Sequence, residues 1–208
     1  MYLEGPVLSY LDDLSARKPT PGGGSAAAAA GAIGAGALAM AANFTLGREK
    51  YRNVETQMKE ILKRVEKARG RLQELIDEDS KAYAGISEAF KLPRGNPGQT
   101  TARAEAVQAA LRTAMRVPLE CSRILAHLMD ECVPLFEKGN SNLLSDVTVG
   151  AELAAGACRA SCVNVEVNLA QIKDAELAET VRAELAEILE HVEAVRQKIT
   201  ALTKEHFS

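Results

Sequence analysis

The stretch Pro19–Leu46, PTPGGGSAAAAAGAIGAGALAMAANFTL, decides how the rest of the chain is read. Two prolines and three consecutive glycines open it, and almost nothing larger than alanine follows until its end. Pro19 and Pro21 stiffen the approach, and Gly22–Gly24 can take dihedrals closed to other residues. Ser25 is placed as an N-cap, its hydroxyl taking a free N–H of the first helical turn. Alanine then carries the helix, while Gly31, Gly34 and Gly36 each cost roughly 1 kcal/mol relative to alanine. Such costs require close approach of other backbones, so the stretch reads as a central, buried helix. Its start leaves N–H groups beside the positive end of the helix dipole, which suits a carboxylate, a phosphate or polar ring atoms. A tight loop before a buried helix accounts for the same residues. The spacing is neither a Walker loop nor GxGxxG, and no strand precedes it.

The 208 residues suit one domain with a substantial core, or two small ones. Charged residues are 25% and hydrophobic ones 47%, an ordinary globular balance. A net charge of −3 argues against a nucleic-acid surface. Aromatic residues are scarce, so base-stacking platforms are not expected either. The Ala/Gly stretch is long enough to cross a bilayer. It is less hydrophobic than a Leu/Ile/Val span and no second candidate follows, so no membrane partner is expected. The first residues carry Glu4, Asp12 and Asp13 and lack an apolar core, unlike a secretory signal. Four cysteines without a CxxC then point to a cytoplasmic protein.

Helical periodicity runs through the chain. Leu3, Val7, Leu8, Leu11 and Leu14 make a short amphipathic helix. From Glu49 to Lys91 a seam of Tyr51, Val54, Met58, Ile61, Val65, Ala68, Leu72 and Leu75 continues past position 79 to Tyr83, Ile86 and Phe90. Position 79 is aspartate. A carboxylate facing a core is costly unless it is paired or serves a function, and an arginine or a helix terminus would satisfy it. Asp77 and Glu78 fall off the seam and read as solvated. After the turn-rich Leu92–Thr100, Thr100 or Thr101 can cap the next helix, which runs to Leu135 with Pro118 kinking or restarting it. Cys121 and Cys132 lie on its apolar face as small hydrophobes. Ser145–Asp146 reads as the cap and first turn of a second small-residue helix, Asp146 to Ile172, with Asn164 and Asn168 one turn apart. Those two asparagines either cross-link buried backbone or line a polar pocket. Cys158 and Cys162 lack the partners of a metal site. A final helix spans about Asp174 to Lys204. No repeat or linker divides residues 1–208, and the expectation is an all-α single-domain bundle of about six helices around the Gly/Ala helix.

PTPGGGSAAA with Asn43 and GREKY, then DEDSKAY, MRVPL, GNSNLLSD and NVEVN, taken together, resemble the cyclodeaminase/cyclohydrolase family of folate enzymes. The resemblance covers nearly the whole chain, in order. It implies an all-helical, usually dimeric fold and a tetrahydrofolate substrate carrying a one-carbon unit at N5 or bridging N5 and N10. It implies that Asp79 is the proton-transfer residue. It also makes Gly22, Gly23, Gly24, Ser25, Asn43, Lys50, Arg103, Asn140, Asn142, Ser145, Asp146, Asn164 and Asn168 candidates for the pocket. One departure is Arg48-Glu49-Lys50, where the family often shows a more uniformly basic GKKKY, and Glu49 weakens a polyglutamate-binding cluster there.

The chemistry suits these groups. In cyclodeamination N10 attacks the N5-formimino carbon and ammonia leaves; in cyclohydrolysis water adds to the same bridging carbon. A carboxylate such as Asp79 can move the proton in either case, and Asp146 can stabilise the cationic amidinium. Lys50 and Arg103 can hold the glutamate carboxylates of the substrate. No metal or other cofactor beyond the folate is expected. Without a transferase domain in this sequence, cyclohydrolase is the first expectation and cyclodeaminase the second, with a formiminotransferase or a folate dehydrogenase or ligase as possible partner. A non-catalytic helical folate-binding or scaffold protein would keep the seams but have no reason to keep Asp79.

Overall fold

The computed structural model describes residue 2 and residues 4–208; Leu3, counted above in the first helix, lies outside them. The expected all-α bundle is what these residues form, with no strand among them. Its helices are α1 (Val7–Ser15), α2 (Gly23–Asn43), α3 (Glu55–Lys91), α4 (Pro97–Met129), α5 (Cys132–Lys138), α6 (Leu144–Leu169) and α7 (Ala175–Phe207). Short 3-10 turns at Glu49–Val54 and Ser141–Leu143 lead into α3 and α6.

The Gly/Ala stretch is the central helix. α2 packs against α3, α4 and α6, and Ala35, Leu38 and Ala42 have no exposed surface. α6 runs antiparallel to α2 and touches it backbone to backbone. A Cβ built on Gly34 would lie 2.9 Å from the Gly150 carbonyl oxygen, and one on Gly150 would lie 2.9 Å from Leu38. Two helices of small residues are therefore needed at this contact, because any side chain there would push the pair apart. Gly31 meets Leu125 in the same way. Gly36 does not: nothing lies within 4 Å of its missing Cβ, and that side of α2 faces outward.

Several helix ends differ from the sequence reading. α4 starts at Pro97, whose missing N–H costs nothing at the first helical position. Its cap is Asn96, whose side chain accepts the Gln99 N–H at 2.9 Å. The Thr100 and Thr101 hydroxyls instead bond back to the carbonyls of Asn96 and Pro97. α4 runs through Pro118, which is buried in the core, so there is no restart there. The break falls later, at Asp130–Glu131, and makes α5 a separate helix. α6 starts at Leu144 without a side-chain cap, so Ser145 is inside the helix. The capping bond there belongs to the preceding turn, where the Asn140 side chain accepts the Asn142 N–H. α1 forms but buries no residue; Val7 and Leu8 are 74% and 68% exposed.

The charges interleaved along α3 also bind helices together. Arg71 pairs with Glu74 and Glu78 on α3 and, at 2.6 Å, with Glu120 on α4, and Arg64 forks onto Glu131. All four cysteines are free and buried, and burial pushes the Cys121 thiol up to about 11, so it packs rather than reacts.

Gly34→Ala should destabilise the bundle by roughly 1–3 kcal/mol through overpacking. Gly70→Ala, where a Cβ meets nothing within 4 Å, should stabilise it by about 1 kcal/mol. Urea melts of the two variants check this, and the opposite order would mean that α2 and α6 are not in close contact.

Candidate active site

The seam of α3 changes character at Asp79. Before it, Leu72 and Leu75 are fully buried; after it, Tyr83 and Phe90 are 48% and 44% exposed. Asp79 is partly buried at this transition, beside the first turn of α2. The Ser25 N–H donates to its Oδ2 at 3.0 Å. Ser25 is the third residue of α2, so this N–H is one of those that a helix start leaves without an internal partner. A carboxylate from a different helix thus caps α2.

That arrangement corrects the expected role of Ser25. Gly22 occupies the cap position without a side-chain bond, and the fully buried Ser25 hydroxyl lies 3.1 Å from the Tyr10 hydroxyl on α1. The glycines make room for the carboxylate. A Cβ on Gly24 would sit 2.1 Å from Asp79 Oδ1, an impossible contact. One on Gly23 would lie 3.5 Å from Asn164 Oδ1, an ordinary distance.

Burial pushes the Asp79 carboxyl above the usual aspartate range, and the Ser25 N–H pulls it part of the way back. Burial also raises the Tyr10 phenol, which stays protonated and able to donate. Of the two ways to satisfy a carboxylate at position 79, the helix terminus is the one used, and neither Arg103 nor Lys50 pairs with it. The Arg103 guanidinium donates to the Phe90 carbonyl oxygen at 3.0 and 3.1 Å and lies over the Phe90 ring. Lys50 is at the far end of α2, 3.5 Å from the Ser141 hydroxyl.

Asp77 is not solvated as its position suggested. It is 8% exposed, and its Oδ1 accepts the Tyr2 N–H at 2.9 Å while Oδ2 has no partner among the described residues. The N-terminal segment folds back over this turn of α3 and covers a strip that the heptad pattern of α3 does not contain. Glu78 is likewise engaged, in its ion pair with Arg71. Lys81, exposed two residues beyond Asp79, serves as a control for substitutions.

A cleft of about 660 Å³ opens over Asp79. Gly22, Gly23 and Gly24 form one end, Tyr83, Ile86 and Phe90 of α3 one wall, and Asn164 and Asn168 of α6 the other. Asp79 Oδ1 takes no hydrogen bond from a described residue. Arg103 reaches the rim through Phe90. The remaining candidates lie elsewhere: Asn43 ends α2, and Lys50, Asn140, Asn142, Ser145 and Asp146 cluster near it. The 21 residues of α2 separate the two groups by roughly 30 Å at 1.5 Å per residue. In the second group Asn140 is buried and ties Phe44, Thr45 and Asn142 together. The Tyr51 hydroxyl accepts the Ser141 N–H at 3.1 Å, and donors from Ser141, with Lys50 adding to them, bring its phenol down to about 8. Tyr10, Tyr83 and Phe90 were not singled out as site residues. The signal available for the last two was that they follow a carboxylate on the same seam.

A carboxylate with one oxygen fixed, the other open to a cleft, and a raised proton affinity is equipped to take a proton from a bound molecule. The family model described as formiminotransferase-cyclodeaminase matches residues 6–203. The chain belongs to this family. It is 37% identical over 95% of its length, and 95% of the relative's, to a methenyltetrahydrofolate cyclohydrolase of Methylorubrum extorquens. It is 30% identical to the formimidoyltransferase-cyclodeaminase of Mus musculus, covering 90% of this chain but 35% of that protein. A solved structure of formiminotetrahydrofolate cyclodeaminase from Thermotoga maritima aligns with a TM-score of 0.81 at 32% identity, over 99% of this chain and 97% of that one.

Asp79→Asn provides a pH test of this geometry. Because the folded protein raises the carboxyl's proton affinity, ionising Asp79 costs stability above its folded pKa, and that cost is absent below the unfolded pKa. Asp79→Asn should therefore gain up to about 1 kcal/mol at pH 7, and the gain should fade as pH drops from the raised folded pKa to the ordinary aspartate value. Urea melts across that range check the sign. Gly24→Ala should displace Asp79 and lower turnover of the family substrate by roughly 10²-fold, since a shift of about 1 Å in a catalytic group is that costly.

Proposed function

We propose that this chain is a methenyltetrahydrofolate cyclohydrolase in which Asp79 is the proton acceptor. The observation that carries the mechanism is the half-buried carboxylate held by the Ser25 N–H at the floor of the cleft. The near end-to-end match to the Methylorubrum extorquens cyclohydrolase supports the choice of reaction. Water adds to the cationic carbon between N5 and N10, and Asp79 takes one of its protons. The neutral adduct then loses its C–N5 bond. Asp79 returns the proton to N5, the hydroxyl proton leaves to solvent, and the carbon becomes the 10-formyl group. One carboxylate serves both steps because N5 and the attacking water flank the same carbon. The chemistry consists of water addition, proton transfers and C–N cleavage, so we assign no cofactor beyond the folate. We place the protein in the cytoplasm, in keeping with its four free cysteines.

Formiminotetrahydrofolate cyclodeaminase is the second reading, favoured by the fold shared with the Thermotoga maritima enzyme. Here N10 attacks the formimino carbon and Asp79 carries the proton to the departing ammonia. Loss of methenyltetrahydrofolate absorbance with purified protein tests the first reading, and ammonia release from formiminotetrahydrofolate the second. Asp79→Asn should lower cyclohydrolase turnover roughly 10²–10⁴-fold, while Lys81→Gln stays within a few-fold. Equal activity of both variants would remove Asp79 from the mechanism.

The site is completed, in our reading, by a C2 homodimer. The outward face joining α2 and α6 carries Ile33, Val149, Val163 and Val167, each more than half exposed, and the open Gly36 and Gly156 permit close helix contact. An antiparallel pairing across this face sets the Asp79 end of one subunit beside the partner subunit's Asn43 and Asp146. That brings the two separated residue groups into one site and lets Asp146 face the amidinium cation. Lys50 and Arg103 then hold the glutamate tail. Ile33→Glu should give a folded monomer by light scattering and abolish turnover; an active monomer would contradict the shared site.

A further inference from the structure

The side-chain amides of the cleft are oriented by their own helix. Asn164 donates through Nδ2 to the Ala160 carbonyl oxygen at 2.9 Å, and Asn168 to the Asn164 carbonyl oxygen at 2.8 Å. Each amide nitrogen spends one of its two N–H donors on the preceding turn of α6, which fixes the two Oδ1 atoms as acceptors one turn apart on the cleft wall. Asp79 Oδ1 adds a third acceptor at the floor. Among the described residues of the lining the one cation, Lys91, is paired with Glu88 at 2.7 Å. Beside α6 this array of acceptors suits a ligand edge rich in N–H donors, while the free N–H groups at the start of α2, in the same lining, are left for a carbonyl on that edge. Across from them, Tyr83, Ile86 and Phe90 offer an apolar wall for a planar ring.

We infer that Asn164 and Asn168 read the N–H-bearing pyrimidinone edge of the tetrahydropterin ring and so set the orientation of the substrate. The pterin lies in the cleft against α6, the bridging carbon faces Asp79, and the aminobenzoylglutamate tail points out, away from the acceptor-lined interior. This rests on the folate reading above. It adds a direction of binding and two specificity-determining residues, of which the sequence alone left open whether they line a pocket at all. An acceptor role also separates the isosteric variants. Asn168→Asp keeps an acceptor at the cleft, whereas Asn168→Leu removes it at similar size.

The test uses the full chain with two substrate fragments as inhibitors, a tail-less 6-methyltetrahydropterin and p-aminobenzoylglutamate, with calorimetry for binding without turnover. Asn168→Leu should weaken tetrahydropterin binding about tenfold, the worth of one buried hydrogen bond, and raise KM similarly with kcat within a few-fold. It should leave inhibition by p-aminobenzoylglutamate within about twofold on the same grounds. Asn168→Asp, which keeps an acceptor but loses the bond to the Asn164 carbonyl oxygen, should retain more pterin binding than Asn168→Leu, and Asn164→Leu should repeat the Asn168→Leu pattern if Asn168→Leu impairs folding. Unchanged pterin binding in the leucine variants, or a loss confined to p-aminobenzoylglutamate, overturns the inference. Pterin binding with the expected variant pattern but no turnover sinks the cyclohydrolase reading and leaves this one standing. Turnover with unaltered fragment binding does the reverse.

Discussion

A single hydrogen bond, from the Ser25 N–H to the Asp79 carboxylate, joins the start of the central helix to the middle of the longest one. It meets two needs with one group. The first turn of α2 has free N–H groups that its glycine-rich start cannot satisfy with a side chain, and the seam of α3 has a carboxylate that packing alone would reject. Each solves the other's problem. The arrangement is possible only because Gly24 has no Cβ where Asp79 Oδ1 sits. The glycine run is therefore both a structural necessity and the reason the carboxylate can stand open to a cleft.

The same economy of small residues extends along α2. Gly34 and Gly150 let α2 and α6 touch, which fixes the distance between the Asp79 floor and the Asn164–Asn168 wall. Farther along, α2 delivers Asn43 next to Asn140, Lys50 and Asp146. The helix thus carries one residue group at each end, and its outward face is the one on which the dimer we propose would unite them.

The fold class was legible in the sequence because period-3.6 seams are long and the Gly/Ala stretch is unusual. Asp79 was legible for a physical reason: it is the wrong residue at a packed position. Asp77 was misread, since the cover over it comes from the N-terminal segment and leaves no trace in the pattern of α3. Ser25 was misread as a cap because a local rule cannot see a carboxylate 54 residues away. Tyr83 and Phe90 looked like seam residues; nothing in their spacing says that α6 stands back and leaves a cleft there. The separation of the candidates into two groups became visible only once the chain was folded, because motif order carries no distance.

Direct titration of the Asp79 carboxyl carbon by 13C NMR, set beside the pH dependence of kcat/KM for methenyltetrahydrofolate hydrolysis, tests whether the carboxylate capping α2 is the proton acceptor. The geometry predicts a midpoint above the ordinary aspartate value of about 3.9 and an acid limb of the rate profile that follows it, with activity lost as Asp79 protonates. A midpoint at or below that value, or a rate profile that does not follow the titration of Asp79, would contradict the assignment.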